Sequence, residues 1–257
     1  MNKNTLIIVG SGIKYMSHLT IEAKACIEKA DKVLYLANEP AMQEWIKKAN
    51  PSSETLSNLY TTDKLRIDSY MLISEYILEV LKKVKTLCVV MYGHPTVLVQ
   101  SSLLAANQAT SHHYDVIIMP GISVEDCLFA DLQIDPGSCG CHSFEATDFL
   151  IYRREYDSSS HLILWQPSVI GVLNQPIYHD PSRGLDILTE YLYEKYSINH
   201  EIIVYEAAQY PRFNPVIDKV PLKDLSKSKI SRLATLYIPP NKRKQPDFSI
   251  LSKLKEQ

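Results

Sequence analysis

The sequence lacks several features that would place it in a specialised class of protein. No apolar run approaches the length needed to cross a membrane, and the amino-terminal run is too short for a signal peptide. A net charge of −2 provides no field that would attract nucleic acid or an anionic membrane. Five cysteines form no disulfide framework, which favours a reducing compartment. We therefore expect a cytoplasmic protein that binds neither nucleic acid nor membrane.

Familiar catalytic and metal-binding signatures are also missing. There is no GxSxG, P-loop or HExxH pattern. Gly10-Ser11-Gly12 follows an apolar run, but Tyr15 replaces the third glycine of the dinucleotide motif and Glu39 lies too late for its acidic residue, so we interpret the glycines as a tight turn. Cys139-Gly140-Cys141-His142 lacks a second ligand pair, and nothing completes His112-His113. We expect no metal site.

What is present is an alternation of strand and helix patterns in a chain of 257 residues that is 46% hydrophobic. In the first half, the pattern predicts a mostly parallel sheet with right-handed crossovers. The strands are expected at Thr5–Val9, Val33–Leu36, Leu87–Met91 and Tyr114–Met119, and the helices at Thr20–Ala30, Pro40–Asn50, Asp63–Val84 and Val97–Ala109.

The second half has a different mixture, which predicts a mixed sheet. Strands are expected at Ser143–Ala146, Leu162–Gln166, Glu201–Ala207 and Ala234–Ile238, and helices at Val124–Ala130, Asp148–Tyr156 and Leu185–Tyr196. We place a domain boundary near Ile122–Ser123. The fold class is therefore α/β, with an N-terminal α/β domain over 1–122 and a C-terminal α/β domain over 123–257.

The stretch Thr86–Gln100 combines a buried strand, a polar turn and the start of a helix. The run Leu87–Met91 has the continuous apolar character of a strand buried on both faces. The turn Tyr92-Gly93-His94-Pro95 ends it, and Pro95 suits the first turn of a helix. Such a turn, outside the carboxyl end of a strand, is the usual place for a ligand in an open α/β sheet. An ordinary connecting loop is the alternative.

A second candidate site is a set of tyrosines around one arginine. Arg66 and Tyr70 are four residues apart and therefore share a helix face, while Tyr60 precedes that helix and Tyr92 follows the neighbouring strand. A guanidinium beside a phenol stabilises the phenolate, lowers its pKa and makes it a plausible base. The alternative is that these pairs only attach a helix to a sheet.

The sequence also resembles a known superfamily, the tetrapyrrole methylases. The resemblance runs from VGSG near the amino terminus through YGHP and PGISVEDCLFADL to IPP near the carboxyl terminus, and so covers nearly the whole chain. It is closer to one branch, the borosin peptide α-N-methyltransferases, because FADLQIDPG, SFEATDF, LILWQ and the spacing of Tyr60, Arg66 and Tyr70 match that branch. The combination is specific, whereas any single segment is weak.

This resemblance implies two α/β domains of the tetrapyrrole methylase type, with the cofactor S-adenosyl-L-methionine in the cleft between them and S-adenosyl-L-homocysteine as product. It implies methylation of backbone amide nitrogens in a ribosomally made peptide. The implied catalytic residues are Tyr60, Arg66, Tyr70 and Tyr92. We assign Tyr60 as base, Arg66 to stabilise its phenolate, and Tyr70 and Tyr92 as donors to the substrate oxygen, although the sequence does not decide how the tyrosines divide these roles. The implied cofactor contacts are Tyr92, His94, Val97, Leu98, Ser123, Val124, Gln166, Ala207, Ala234 and Thr235.

Some borosin enzymes carry the substrate peptide fused to their carboxyl terminus, whereas this sequence stops soon after IPP with a polar tail, Pro246–Gln257. We therefore expect a split system with a separate precursor peptide. The resemblance also implies a homodimer, with a heterotetramer if two precursors bind. Two alternatives stay open: a tetrapyrrole (precorrin or porphyrin) C-methyltransferase, and a non-catalytic homologue that only binds a peptide.

Overall fold

The computed structural model describes residues 4–60, 65–174, 179–242 and 244–255. These residues form two compact units. The first unit consists of the described residues within Met1–Gln133, Val172–Tyr178 and Ala207–Pro215. The second unit consists of those within Ile134–Gly171, His179–Glu206 and Val216–Gln257. Each unit contains one five-stranded sheet, as the two-part sequence pattern predicts.

The sheet of the first unit is entirely parallel. Its strands are β1 Thr5–Gly10, β2 Lys32–Leu36, β3 Ser53–Thr55, β4 Thr86–Met91 and β5 Asp115–Ile118. They occur in the order β3-β2-β4-β1-β5, so consecutive strands are joined by crossovers. Val- and Ile-rich strands suit this arrangement because both faces are covered, and every residue of β4 after its first is buried.

The described residues of the first unit form five helices, of which the first four pack against this sheet. They are α1 Ile21–Lys29, α2 Pro40–Ala49, α3 Arg66–Leu81, α4 Gln100–Ser111 and α5 Val124–Leu132. One core contains Ile27 of α1 and Ile46 of α2, which pack with Val9 and Val90 of the strands. The other core joins α3 and α4 to Ile8, Val89 and Met91. Since successive strand residues point to opposite faces, α1 and α2 lie on one face of the sheet and α3 and α4 on the other.

The sheet of the second unit is mixed. The elements of this unit are β6 Cys141–Glu145, α6 Ala146–Ile151, β7 His161–Trp165, α7 Ser182–Leu192, β8 Glu201–Glu206, β9 Val216–Pro221, β10 Thr235–Ile238 and α8 Phe248–Lys255. The strand order is β6-β7-β10-β8-β9, and among these described strands β6 and β7 are parallel whereas the other neighbours are antiparallel. One core lies on the face that carries Leu162, Leu164 and Leu236, against α6 and α7.

Several sequence-based boundaries were wrong. Helix α4 begins at Gln100 and not at Val97, because Leu98 has a left-handed backbone (φ +55°) and Pro95 lies in the preceding turn. Helix α6 ends at Ile151 and not at Tyr156, because Arg153 is also left-handed. Two strands, β3 and β9, were missed. The expected start of α3 at Asp63 lies outside the described residues.

The compact units also differ from the expected division at Ile122–Ser123, because the first unit continues through α5 to Gln133. The Cys127 sulfur of α5 lies 3.8 Å from the Nδ1 atom of His18 in the loop after β1, so α5 contacts a loop of the first unit. Two later segments also return to the first unit.

Among the described residues, no helix is both long and apolar enough to span a bilayer.

Candidate functional site

The first unit contains a topological switch point between β1 and β4. These strands are neighbours and parallel, with Val9 opposite Val90 and Gly10 opposite Met91. The connection after β1 leads to α1 on one face of the sheet, and the connection after β4 leads to α4 on the other. Loops that diverge at the carboxyl ends of adjacent parallel strands leave a crevice, which is where ligands bind in open α/β sheets.

Glycines bring these two loops into direct contact. Gly12 and Gly93 form an isolated antiparallel bridge in which each N–H donates to the other carbonyl oxygen at 3.2 Å. Both have positive φ angles, +69° and +71°. A Cβ atom added to Gly10 would lie 2.1 Å from the Gly93 carbonyl oxygen. The absence of a side chain at Gly10 thus permits the close approach of the two loops, and the interpretation of Gly10-Ser11-Gly12 as a tight turn stays a prediction.

The tyrosine set lies on the α3 and α4 face of the same sheet. Tyr60 directly follows a 3₁₀ turn, Ser57–Leu59, and packs against the core that contains Met91 and Ala105. Tyr70 lies in the second turn of α3. The rings of Tyr60 and Tyr70 meet edge to face, with centroids 6.2 Å apart and planes at 82°. The structure thus brings together two of the four predicted catalytic side chains.

Ser101, on α4, is a member of this site that sequence reasoning missed. Its side chain is hydrogen-bonded to the Tyr60 hydroxyl and is 1% exposed. Burial raises the pKa of Tyr60 to about 12, the neighbouring Tyr70 adds to the increase, and the hydrogen bond with Ser101 opposes it. The expectation that the pKa of Tyr60 is lowered was therefore wrong, because desolvation of the phenolate outweighs the groups that favour it.

Arg66 is the first residue of α3 and is held by a neighbouring segment of the first unit. Its guanidinium donates to the Val172 carbonyl oxygen, and its backbone N–H donates to the Leu173 carbonyl oxygen at 2.8 Å. Leu65 and Asn174 form an isolated bridge beside it. The segment Val172–Asn174 therefore fixes the start of α3. This start lies about six residues after Tyr60 and four residues before Tyr70 in the chain. A role for Arg66 at the Tyr60 phenolate stays a prediction.

The loop after β4 carries four of the predicted cofactor contacts: Tyr92, His94, Val97 and Leu98. His94 accepts a hydrogen bond from the Thr96 N–H at Nδ1 (3.2 Å), so its neutral ring carries the proton on Nε2 and presents a donor there. Leu98 has a left-handed backbone although its side chain is 47% exposed. Strained residues of this kind cluster at ligand sites, where the surroundings hold them in place.

Ser123 and Val124 lie at the start of α5, where a capping box uses the serine hydroxyl. Ser123 Oγ donates to Asp126 Oδ2 (2.8 Å) and accepts from the Asp126 N–H (3.2 Å). The Ser123 N–H also donates to that carboxylate, at 2.6 Å. The polar groups of Ser123 are thus engaged within the helix cap, which limits what they offer to a ligand.

The remaining predicted contacts lie at one edge of the second sheet. Thr235, the first residue of β10, is opposite Trp165 at the end of β7 and Tyr205 near the end of β8. Gln166 follows β7 and has a left-handed backbone (φ +57°). Ala234 and Thr235 are buried, and Ala207 leaves the sheet directly after β8. Gln166, Ala234 and Thr235 therefore share this edge, whereas Ala207 belongs to the first unit.

No group of three or more histidine, cysteine or acidic side chains within the described residues could hold a metal ion. The ionisable chemistry of the first unit's site is that of phenols. A buried phenol with a raised pKa is a weak acid whose conjugate base is strong, so Tyr60 suits removal of a weakly acidic proton. Hydroxyl groups beside it suit stabilisation of an oxygen that gains negative charge.

Comparison with known proteins adds three findings. A model of the tetrapyrrole (corrin/porphyrin) methylases matches residues 5–225. A methyltransferase/ribosomally synthesized cyclic peptide gymnopeptides precursor from Gymnopus fusipes is 38% identical over 97% of this chain and 60% of its own length. The corresponding omphalotin A precursor from Omphalotus olearius is 35% identical over 97% of this chain and 61% of its own length. The chain thus spans about 60% of these relatives.

Two solved structures share the fold. Diphthine synthase superposes with a TM-score of 0.62 at 16% identity, covering 98% of this chain and 95% of that protein. A uroporphyrin-III-C-methyltransferase from Thermus thermophilus gives a TM-score of 0.66 at 15% identity, covering 93% of both chains. The predicted fold class, a parallel α/β sheet followed by a mixed one, is confirmed.

Proposed function

Because the chain belongs to the tetrapyrrole (corrin/porphyrin) methylase family, we propose that it is a methyltransferase that uses S-adenosylmethionine to methylate backbone amide nitrogens of a ribosomally made precursor peptide. The observation that carries the proposal is the contact of Tyr60 with Tyr70 and Ser101 on the α3 and α4 face of the first sheet. The names of the relatives, which combine a methyltransferase with a cyclic peptide precursor, support the same substrate class.

The residues at the carboxyl edge of the first sheet fit S-adenosylmethionine. This cofactor carries a positively charged sulfonium whose methyl group is electrophilic. Tyr92, His94, Val97 and Leu98 include no lysine or arginine that would repel it. The strained backbone of Leu98 and the bridged glycine loops are the features expected of a ligand cradle. We assign the loop after β4 to the cofactor, and Gln166, Ala207, Ala234 and Thr235 as further contacts.

The amide substrate explains why a strong base is needed. A peptide nitrogen is a poor nucleophile because its lone pair is delocalised into the carbonyl group. Tyr60 accepts the N–H proton, so the electron pair left on nitrogen is free to form the bond to the methyl carbon as the bond from sulfur breaks. With a pKa of about 12, the Tyr60 phenolate is scarce at neutral pH but strongly basic once formed.

The other side chains of the set hold the substrate oxygen and orient the base. Removal of the amide proton places negative charge largely on the carbonyl oxygen. Tyr70 and Tyr92 are assigned as hydroxyl donors to that oxygen. Ser101 orients the Tyr60 hydroxyl through their hydrogen bond. Arg66 supplies a positive charge at the start of α3, where Val172 and Leu173 hold it in place.

The direct test is to supply the substrate as a separate molecule. The protein is incubated with S-adenosylmethionine and the precursor segment of the Gymnopus fusipes relative, and the peptide is weighed and fragmented. Mass gains in whole methyl steps that map to backbone nitrogen support the proposal. Unmodified peptide that still binds supports a non-catalytic homologue, and methylation of a tetrapyrrole instead of the peptide contradicts the substrate class.

Supplying the peptide separately also tests the split arrangement. The expected separate precursor stays a prediction, since the named relatives carry the precursor in the same chain. Turnover of the added peptide supports it. The homodimer, with or without two bound precursors, is likewise a proposal, and mass measurement of the assembly under native conditions decides it.

A further inference from the structure

The segment Ala207–Pro215, which we call the return segment, leaves β8 of the second sheet yet belongs to the first unit. Two contacts attach it to loops of that unit. The Tyr15 N–H donates to the Gln209 carbonyl oxygen at 2.8 Å, and the Tyr210 hydroxyl donates to the Glu39 carboxylate. The rings of Tyr15 and Tyr210 also lie near each other, with centroids 6.5 Å apart.

Glu39 is a carboxylate that is 3% exposed and fully engaged. It precedes α2 and accepts hydrogen bonds from the N–H groups of Ala41 (2.8 Å) and Met42 (2.6 Å), as well as from Tyr210. Burial alone would raise the pKa of Glu39, but the hydrogen bonds from Tyr210 and the two backbone groups lower it. Glu39 is therefore an ionised anchor and not a group free to bind a ribose.

Little else holds the tip of the return segment. Residues 210–214 are all exposed, and the Phe213 side chain is 68% exposed. A turn bond from the Phe213 N–H to the Tyr210 carbonyl oxygen (3.1 Å) gives the tip its shape but does not attach it to the sheet. With so little apolar burial, the position of this tip depends on its polar contacts, and the hydrogen bond to a buried charge is the strongest kind among them.

Tyr15 and Glu39, which contact the return segment, lie where a ligand is expected. Tyr15 is in the loop after β1, and Glu39 is in the loop after β2, so both lie beyond the carboxyl ends of parallel strands. We propose that Glu39, acting through Tyr210, positions the return segment as part of the cofactor site, with Ala207 at its start as the contact. Glu39 and Tyr210 are positioning residues in this assignment, which rests on the proposed use of S-adenosylmethionine.

The test compares Tyr210→Phe with a matched variant, Tyr76→Phe. The Tyr76 hydroxyl donates to the Glu54 carboxylate at 2.6 Å, so both variants remove a phenol–carboxylate bond, but Tyr76 lies on α3 and takes no part in the contacts that attach the return segment. Affinity for S-adenosylmethionine is measured by calorimetry without peptide. In parallel, brief trypsin digestion of the folded protein measures cleavage after the exposed Arg212.

We expect Tyr210→Phe to bind the cofactor about tenfold more weakly and to be cleaved after Arg212 several times faster, while Tyr76→Phe matches the wild type in both. Glu39→Gln should repeat the Tyr210→Phe result. If Tyr210→Phe and the wild type bind S-adenosylmethionine equally well, with or without faster cleavage, this inference is wrong but the proposed function is not affected. Failure of the wild type to bind S-adenosylmethionine contradicts the proposed function itself, and the inference with it.

Discussion

The rings of Tyr60 and Tyr70 meet edge to face at a centroid separation of 6.2 Å, and the two planes are nearly perpendicular. Edge-to-face contact is a preferred geometry for aromatic pairs and fixes the orientation of both rings. The hydroxyl that is proposed to act as a base is therefore held by packing as well as by its hydrogen bond to Ser101. Variants of Tyr60 and of Ser101 therefore test the base and the group that orients it separately.

Tyr60→Phe keeps the ring and its packing but removes the proposed base. We expect affinities for cofactor and peptide to be unchanged and kcat to fall by about 10² to 10⁴. Single-turnover kinetics with the precursor segment measure the loss. Tyr76→Phe is the control for a tyrosine outside the site, and turnover of Tyr60→Phe at the wild-type rate would exclude Tyr60 as the base.

Ser101→Ala removes the hydrogen bond that opposes the raised pKa of Tyr60. We expect this pKa to rise further, so that kcat/KM at neutral pH falls by about tenfold while the pH profile moves to higher pH. Ser74→Ala is the matched control, because Ser74 is equally buried and donates instead to the Gln108 side-chain oxygen. An equal loss when Ser101→Ala is made in the Tyr60→Phe background would indicate a structural role only.

The pH dependence of the wild type follows from the same group. Below a pKa of about 12, the fraction of Tyr60 that is ionised rises tenfold for each pH unit. We expect kcat/KM to increase with pH with a slope near one from pH 7 to at least pH 9, measured with saturating cofactor. A profile that is flat over this range, with chemistry as the slow step, would contradict Tyr60 as a base.

Tyrosines also predict how stability depends on pH. Burial raises the pKa values of Tyr156, Tyr196 and Tyr237 as well as that of Tyr60. Near pH 10 the unfolded chain releases these protons while the folded chain keeps them, so the unfolded state binds fewer protons. The free energy of unfolding should therefore be intact below pH 10 and fall as pH rises through the folded-state values. Urea midpoints from pH 8 to pH 11 measure this.

Tyr196→Phe provides the control for that measurement. Within the described residues the Tyr196 hydroxyl is buried without a hydrogen-bond partner, and its ring stacks on Tyr156. Removing the hydroxyl should cost little stability at pH 7 and should weaken the decline above pH 10. A variant that loses stability at pH 7 yet shows the same decline would contradict this assignment.

Gly10→Ala should be far more harmful than Gly171→Ala. The added Cβ of the first would collide with the Gly93 carbonyl oxygen, whereas that of the second meets nothing within 4 Å and incurs only the strain of φ +76°. We expect a cost of about 1 to 2 kcal/mol for Gly171→Ala and a larger one for Gly10→Ala. Thermal unfolding of both variants measures the difference, and equal costs would contradict the close approach of the two loops.

Much of the fold is predictable from the sequence because its strongest strands are continuous apolar runs. Leu87–Met91 is buried on both faces and its pattern indicates this directly. By contrast, β3 is three polar residues long and β9 is exposed along most of its length, so neither has a periodic signal. The left-handed backbone of Leu98, which delays α4, has no glycine or asparagine to indicate it.

The candidate site was predicted in part. The spacing of Arg66 and Tyr70 placed them on one helix, and the contact of Tyr60 with Tyr70 agrees with their expected convergence. Ser101 was missed because nothing in the sequence around a helical serine indicates that its side chain bonds to Tyr60, about forty residues earlier in the chain. The direction of the pKa shift of Tyr60 was missed because burial is a property of the folded chain. Its effect outweighs that of the charged residues that can be read from the sequence.

The bridge between Gly12 and Gly93 has a practical consequence for anyone who redesigns this protein. Two turns that are more than eighty residues apart in the chain share one pair of backbone hydrogen bonds, so neither can be rebuilt alone. If only one turn is randomised, most variants should lose the backbone hydrogen bonds to the other turn. Both turns should therefore be transferred together when they are replaced by those of a homologue.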